Sequence, residues 1–144
     1  MEQTQEEKDQ EKSLIERTEK AFNSRMEDIR ILRELLNLEN ENDYEAIKDK
    51  IRDEYGEPGE YGLCLDYVEE GTFKDQREPY IRFQLSYGGP SEEFRIYAND
   101  EAEFWFLDWF CGEHKNLNSS EYEELLNFLG ASDYEELKQL VKPE

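Results

Sequence analysis

Apolar residues in the first part of the chain recur with a helical period. The apolar positions that lie seven residues apart are Ile15, Phe22, Ile29 and Leu36. This spacing places them on one face of a helix. We predict a helix over about residues 13–38, preceded by a flexible, charged N-terminus over residues 1–11. Thr18 and Arg25 stand where a coiled coil would need apolar side chains, so a helix packed on a sheet is favoured over a coiled-coil dimer.

Three short segments share a start that is typical of helix N-termini. They are NDYEAI from residue 42, SEYEEL from residue 120 and SDYEEL from residue 132. In each, an Asn or Ser side chain can accept a hydrogen bond from the third backbone N–H, and a Glu can reach back to the cap. Apolar residues follow at helical spacing. We predict helices over residues 42–55, 120–129 and 132–141, with Gly130 ending the second of these.

The middle of the chain alternates apolar and polar positions, which is the period of β-strands. Leu63, Leu65 and Tyr67 alternate with polar neighbours, and the same pattern recurs around residues 81–87 and 93–97. We predict an α+β fold: a four-stranded antiparallel β-meander over about residues 61–111, flanked by two N-terminal and two C-terminal helices. These elements would form a single domain over residues 12–144.

The last predicted strand, EFWFLDWF over residues 103–110, is apolar on both faces. Two tryptophans alternate with three phenylalanines, so the two kinds of ring would point to opposite sides of the sheet. We expect the core to contain Trp105, Trp109, Phe83, Leu85 and Phe94. The face that carries Phe104, Phe106 and Phe110 then needs a cover, either the long first helix or a partner protein.

The chain carries a formal net charge of −21. Acidic residues outnumber basic ones in every third of its length. Such a field repels nucleic acid and anionic membranes and attracts basic surfaces, so neither direct nucleic-acid binding nor membrane binding is expected. The acidity is also compatible with a role in solubility alone. The chain contains no apolar run of transmembrane length and begins with charged residues, which predicts a cytoplasmic protein.

The sequence contains little that is typical of catalysis or metal binding. His114 is the only histidine, and it stands three residues after Cys111, with Cys64 as the second cysteine. A structural zinc site takes four ligands, more than these residues supply. The glycines that precede Pro90 are typical of a turn rather than a phosphate-binding loop. We therefore predict no catalytic residues, no metal and no cofactor, and we do not expect an enzyme.

One acidic pattern is more regular than composition requires. Through the predicted second helix, carboxylates recur every four residues at Glu41, Glu45, Asp49, Asp53 and Glu57. Like charges at this spacing repel by about 0.2–0.5 kcal/mol per pair, so stability alone would not select them. We call these five residues the acidic ridge and predict that it binds a partner by imitating nucleic-acid phosphates. Glu92 and Glu93 form a second candidate cluster. The alternative is a solvated helix face, partly neutralised by Lys48, Lys50 and Arg52.

Two segments carry a resemblance to known proteins. YIRFQLSYGGPSEEFRIY over residues 80–97 and AEFWFLDWF over residues 102–110 resemble small acidic accessory proteins of phages and conjugative elements. In size and charge the chain is also similar to phage anti-defence proteins that mimic DNA, including anti-CRISPR and anti-restriction proteins. These resemblances imply an inhibitor that acts in the host bacterial cell. It would bind the basic nucleic-acid-binding groove of a CRISPR effector or a restriction enzyme.

Two other functions remain open at this point. A non-enzymatic protein-interaction module would bind through an aromatic sheet face, using Phe104, Phe106, Phe110 or Tyr97. An acidic chaperone would instead shield a basic partner. The protein would be a monomer or a weak homodimer, because the long first helix and the second aromatic face both offer a surface for self-association.

Overall fold

The computed structural model describes residues 4–36, 64–73, 76, 78–87, 90–108 and 111–142. It confirms the α+β class. The helices are α1 (Gln5–Leu36), α2 (Ser119–Leu129) and α3 (Tyr134–Val141), and the strands are β1 (Cys64–Val68), β2 (Tyr80–Ser86), β3 (Ser91–Tyr97), β4 (Glu101–Asp108) and β5 (Cys111–Asn116). The predicted helix over residues 42–55 lies outside the described residues.

The sheet is an antiparallel meander in the order β1-β2-β3-β4-β5. It has five strands, so the prediction of four strands is wrong. The additional strand is β5, which pairs with β4 so that His114 lies opposite Trp105 and Lys115 opposite Phe104. Its sequence, CGEHKN, lacks the apolar alternation that marks the other strands. β5 forms through backbone pairing with the aromatic strand, which a side-chain pattern does not detect.

Helix α1 begins at Gln5 rather than at residue 13. Thr4 caps it, because the Thr4 Oγ1 atom accepts a hydrogen bond of 3.1 Å from the backbone N–H of Glu7. The first turns are solvent-exposed and charged, and Ile15 is 48% exposed instead of joining the core. Burial begins at Thr18, whose hydroxyl donates to the Leu14 carbonyl oxygen at 2.7 Å. Within the described ranges, no helix is both long enough and apolar enough to cross a bilayer.

The core lies between the helices and one face of the sheet. Its centre is a cluster of aromatic rings, in which Phe22 of α1 lies 5.7 Å from Phe104 and 6.5 Å from Phe94 between ring centroids. Phe94 and Phe104 are 5.2 Å apart, and Phe83 lies 6.4 Å from Phe94. Phe83, Leu85 and Phe94 are buried, as predicted. The aromatic strand thus packs against α1, and the cover of Phe104 and Phe106 is intramolecular.

Trp105 is not part of this core, and that prediction is wrong. Along β4, Phe104 and Phe106 are buried towards the helices, whereas Glu103 and Trp105 point to the opposite face and are half-buried. Successive side chains of a β-strand point to opposite faces, so Phe104 and Trp105 cannot both face the core. On the core face, Phe106 lies beside α1, where the Arg17 guanidinium is 5.1 Å from the centre of the Phe106 ring. The predicted core residue Trp109 and the face residue Phe110 lie outside the described residues.

Helices α2 and α3 begin with side-chain caps of the predicted kind, but at different residues. Asn118 rather than Ser120 caps α2: its side chain accepts from the Glu121 N–H at 2.8 Å, and the Glu121 carboxylate accepts from the Asn118 N–H at 2.9 Å. Asp133 caps α3 by accepting from the Glu136 N–H at 2.8 Å. Gly130 ends α2 with a φ of 89°, as predicted, because a glycine tolerates this left-handed conformation.

The buried aromatic cluster gives the first testable prediction. Replacing Phe104 by alanine (Phe104→Ala) removes a ring that contacts both Phe22 and Phe94, and should lower the free energy of unfolding by about 3–5 kcal/mol. Tyr87→Ala, at a side chain that is 82% exposed, is the control and should change it by less than about 0.5 kcal/mol. Urea unfolding measures both. Equal midpoints for the two variants would contradict the packing of α1 on β4.

Candidate functional site

The candidate site lies on the face of the sheet opposite the core. An antiparallel sheet that packs helices on one face usually exposes polar residues on the other. Here the second face carries aromatic rings and ion pairs instead. Side chains of four adjacent strands build it, and the residues that define it are Tyr80, Arg82, Glu93, Arg95, Tyr97, Glu103, Trp105 and His114.

A row of stacked groups crosses this face from β2 to β5. The Arg95 guanidinium lies 5.1 Å from the Tyr80 ring centre and 4.2 Å from the Trp105 ring centre. The His114 ring stacks on Trp105 with centroids 4.6 Å apart and an interplanar angle of 20°. Each strand from β2 to β5 therefore contributes one member of the row. Cation–π contacts of a desolvated guanidinium are among the stronger interactions available on a protein surface.

Two arginines lie directly opposite one another on this face. Arg82 of β2 pairs with Arg95 of β3 in the register of the sheet, a position at which like charges repel. Each has its own carboxylate: Asp66 accepts two hydrogen bonds from Arg82, at 3.0 and 2.8 Å, and Glu93 accepts one from the Arg95 Nε atom at 2.7 Å. The hydrogen bond to Asp66 is also the main reason why the pKa of Arg82 is raised. Neither arginine is left as an uncompensated charge.

Glu93 and Glu92, predicted as a second partner-binding cluster, point to opposite faces of the sheet. The Glu93 side chain is 5% exposed and bound to Arg95. Glu92 faces the helices, where its carboxylate accepts hydrogen bonds from Arg25 of α1 at 3.1 and 3.3 Å. A register shift in β2 also sets Ser86 opposite Glu92. The two glutamates therefore do not form one exposed patch. The acidic ridge of five residues lies outside the described residues.

The Glu103 carboxylate lies beside Trp105 and His114, at the β5 end of the stacked row. It accepts hydrogen bonds from the Tyr97 hydroxyl at 2.7 Å and from the Trp105 Nε1 atom at 3.0 Å, and His114 Nε2 lies 3.6 Å away. Burial raises the pKa of Tyr97, and the hydrogen bond to Glu103 raises it further, because a phenolate beside a carboxylate would be repelled. The cluster thus holds one carboxylate between two hydrogen-bond donors, with the His114 ring beside it.

The connection between β1 and β2 forms one wall of a groove over this face. Gln76 holds the loop: its amide nitrogen donates to the carbonyl oxygens of Glu69 and Glu78 at 3.0 and 2.9 Å, and its amide oxygen accepts from the Phe73 N–H at 3.0 Å. Two cavities lie along the groove, with volumes of about 920 and 520 Å³. Glu78 and Tyr97 line both cavities, so the two are adjacent. We call the two adjacent cavities together the sheet groove.

The two halves of the sheet groove differ in chemistry. Its aromatic half contains the ion-paired arginines together with the rings of Phe73, Tyr80 and Trp105. Carboxylates dominate the acidic half, which is lined by Glu78, Asp100, Glu101 and Glu103. No lysine or arginine belongs to the described residues that line this second half.

The turn between β3 and β4 shapes the acidic half. Asp100 adopts a φ of 60°, and its carboxylate accepts from the Tyr122 hydroxyl of α2 at 3.0 Å and lies 3.4 Å from the Tyr134 N–H of α3. The pKa of Tyr122 is raised, first by burial and then by this hydrogen bond. Asp100 therefore links the turn to α2 and α3. The turn forms part of the rim of the groove, so the two C-terminal helices hold this rim in place.

The described residues show no group of three or more His, Cys, Asp or Glu side chains placed to hold a metal ion. His114, considered from the sequence as half of a metal site, stacks on Trp105 beside Glu103 instead. Carboxylates with aromatic neighbours are suited to binding guanidinium or ammonium groups. Sequence reasoning missed this site because it assigned Trp105 to the core, although the alternation in β3 already placed Arg95 and Tyr97 together.

The buried ion pair gives a prediction with a matched control. Arg95→Met would leave the Glu93 carboxylate buried without a partner, and should cost about 2–4 kcal/mol of unfolding free energy. Arg30→Met breaks a pair with Glu124 in which the arginine is 50% exposed, and should cost less than about 1 kcal/mol. Adding Glu93→Gln to Arg95→Met should restore part of the loss. Equal destabilisation by the two arginine variants in urea unfolding would argue against a buried pair.

A second prediction concerns alkaline pH. The pKa values of Tyr97 and Tyr122 are raised, and that of Tyr134 is raised to about 12, mainly by burial. Since the folded-state values exceed the unfolded value of about 10, this stabilisation is complete below about pH 10 and is lost as the pH rises further. Tyr97→Phe should therefore show a shallower alkaline loss of unfolding free energy than wild type. The control Tyr87→Phe should follow wild type, and an unchanged slope in Tyr97→Phe would refute the assignment.

Comparisons with known proteins give no relative from which to transfer a function. No family model matches the chain, no curated protein is significantly similar to it, and no solved structure matches it. The function of the protein has to be inferred from the charge, contacts and shape of the chain itself.

Proposed function

We propose that this protein is a non-enzymatic inhibitor that binds a basic nucleic-acid-binding protein inside a bacterial host. It would occupy the cationic groove that otherwise takes nucleic-acid phosphates. A CRISPR effector or a restriction enzyme is the proposed target, because in size and charge the chain is similar to phage anti-defence proteins that mimic DNA.

The observation that carries the proposal is the placement of the charges. In the described part of the chain, arginines lie against carboxylates at 2.6–3.1 Å; they are Arg17, Arg25, Arg30, Arg82 and Arg95. Lys115 and Lys142 likewise contact Glu19 and Glu69. In a chain with a net charge of −21, these seven described basic side chains are thus paired within the fold, and many of the described carboxylates remain exposed. Such a surface attracts a basic protein and repels nucleic acid.

Exposed carboxylates are present on the helices as well as around the sheet groove. Glu123 of α2 and Glu135 and Glu136 of α3 are exposed, and so are Glu7 and Glu16 of α1. The proposal assigns the main contact to the acidic ridge, whose four-residue spacing is the most regular in the chain. Glu92 and Glu93 are left out of this contact, since Arg25 and Arg95 neutralise them.

The alternative is an aromatic interaction module, for which Tyr97 is the remaining candidate among the described residues. Phe104 and Phe106 are buried beneath α1 and cannot bind a partner without opening the core, and Phe110 lies outside the described residues. Tyr97 faces the sheet groove, which remains a candidate docking surface. An acidic chaperone would bind a basic partner too, but it would not need to exclude nucleic acid.

Competition with DNA separates these functions. The tagged protein is used to capture partners from bacterial cells that carry defence systems, and binding of each captured protein is then measured at two salt concentrations with and without duplex DNA. We expect mutual exclusion with DNA and weaker binding at higher salt. A partner that retains its DNA while bound to this protein would contradict the proposal.

Two charge-matched variants locate the contact. Converting the acidic ridge to amides, with Gln for Glu and Asn for Asp, should weaken binding about tenfold or more, as expected for several lost ion pairs of roughly 0.2–1 kcal/mol each. The control removes five exposed carboxylates elsewhere, at Glu7, Glu16, Glu27, Glu123 and Glu135, and should have a clearly smaller effect. Equal weakening would mean that net charge alone, and not the ridge, determines binding.

A further inference from the structure

The aromatic half of the sheet groove already binds one guanidinium group. Arg95 lies over the rings of Tyr80 and Trp105, at 5.1 and 4.2 Å, and forms a hydrogen bond of 2.7 Å with the buried Glu93. A planar cation is thus held between aromatic rings and paired with a carboxylate. Arginine is suited to this position because its guanidinium stacks on rings and forms directed hydrogen bonds at the same time.

The acidic half also combines aromatic rings with carboxylates. The ring of Tyr97 lies at the junction of the two halves, and the carboxylates of Glu78, Asp100, Glu101 and Glu103 line the space beyond it. Among these, Glu103 binds Tyr97 and Trp105, and Asp100 binds Tyr122, so both are held in place by hydrogen bonds. The exposed Glu78 and Glu101 have freedom to turn towards a ligand. The described residues that line this half include no basic side chain.

We propose that the acidic half of the sheet groove receives an arginine side chain from an extended basic segment of the partner protein. The guanidinium would lie against the Tyr97 ring and pair with Glu78 and Glu101. Neighbouring side chains of the segment would lie along the aromatic half, beside the exposed rings of Phe73 and Tyr87. The proposal rests on the proposed function in one respect, that the partner is basic.

The size and charge of the groove favour this occupant over other classes. The larger cavity, at about 920 Å³, is in the range of sites that bind ligands of peptide or drug size. Nucleic acid and other polyanions are disfavoured by the four carboxylates of the acidic half and by the net charge of −21. An extended segment places alternate side chains on one side, which suits a groove that runs over a sheet face.

Binding of short peptides with blocked termini tests the groove directly. The full-length protein, labelled for two-dimensional NMR, is titrated with a hexapeptide that carries arginine at alternate positions, and with otherwise identical peptides that carry citrulline or lysine. We expect shift changes at Glu78, Tyr97 and Glu101, and affinity in the order arginine, lysine, citrulline. Citrulline has nearly the shape of arginine but no charge, so equal binding of those two peptides would overturn the proposal. Lysine binding as tightly as arginine would overturn the assignment of a stacked guanidinium.

A charge-matched pair of variants separates the groove from the general acidity of the surface. Glu78→Gln with Glu101→Gln should weaken binding of the arginine peptide by about fivefold to tenfold, as expected for two lost ion pairs. Glu123→Gln with Glu135→Gln removes the same charge from α2 and α3, outside the groove, and should weaken it less than about twofold.

Equal losses in the two double variants would overturn the groove proposal, because the peptide would then be attracted by net charge alone. That result would leave the proposed function standing. Failure of the proposed function would be visible elsewhere, as a captured partner that binds this protein and DNA at the same time. The two failures are therefore distinguishable.

Discussion

The packing of Phe22 of α1 against Phe94 and Phe104 determines the arrangement of the rest of the molecule. These rings join the long helix to the centre of the sheet and bury the phenylalanine side of β4. Because neighbouring strand residues face opposite ways, burying Phe104 turns Glu103 and Trp105 to the other face. There Trp105 meets Arg95 and His114, and Glu103 meets Tyr97. The orientation of the β4 side chains therefore determines both the core and the candidate site.

The fold class and most of the elements could be predicted from periodicity, because amphipathic helices and half-buried strands leave a clear pattern. Strand β5 could not be predicted in this way, since its sequence CGEHKN has no apolar alternation and the strand forms by backbone pairing with β4. Trp105 was misplaced for a related reason. Both faces of β4 are rich in aromatic residues, and the sequence pattern does not say which of them α1 covers. Glu92 and Glu93 do not form one exposed patch, because Glu92 pairs with Arg25 of α1 and Glu93 is buried beside Arg95. The alternation in β3 already placed Glu93 and Arg95 on one face, whereas the contact between Glu92 and the distant Arg25 leaves no sequence pattern.

The shape of the sheet groove could not be predicted from the sequence. It depends on the connection between β1 and β2, held by Gln76, and on the β3–β4 turn, fastened by Asp100 to α2 and α3. The contacts of Gln76 are local, but Asp100 contacts residues 22 and 34 positions away, which no local pattern relates. The two halves of the groove also differ in charge. The arginines of the aromatic half are paired with carboxylates, whereas the carboxylates of Glu78, Asp100, Glu101 and Glu103 line the acidic half.

Hydrogen–deuterium exchange on the complex with a captured basic partner tests the central claim most directly, because it shows which surface the partner covers. The account predicts slower exchange in the complex at residues 41–57, at the connection between β1 and β2 and at the β3–β4 turn. Exchange on the outer faces of α2 and α3 should stay as in the free protein. Protection confined to α2 and α3, with the groove and residues 41–57 unchanged, would contradict it.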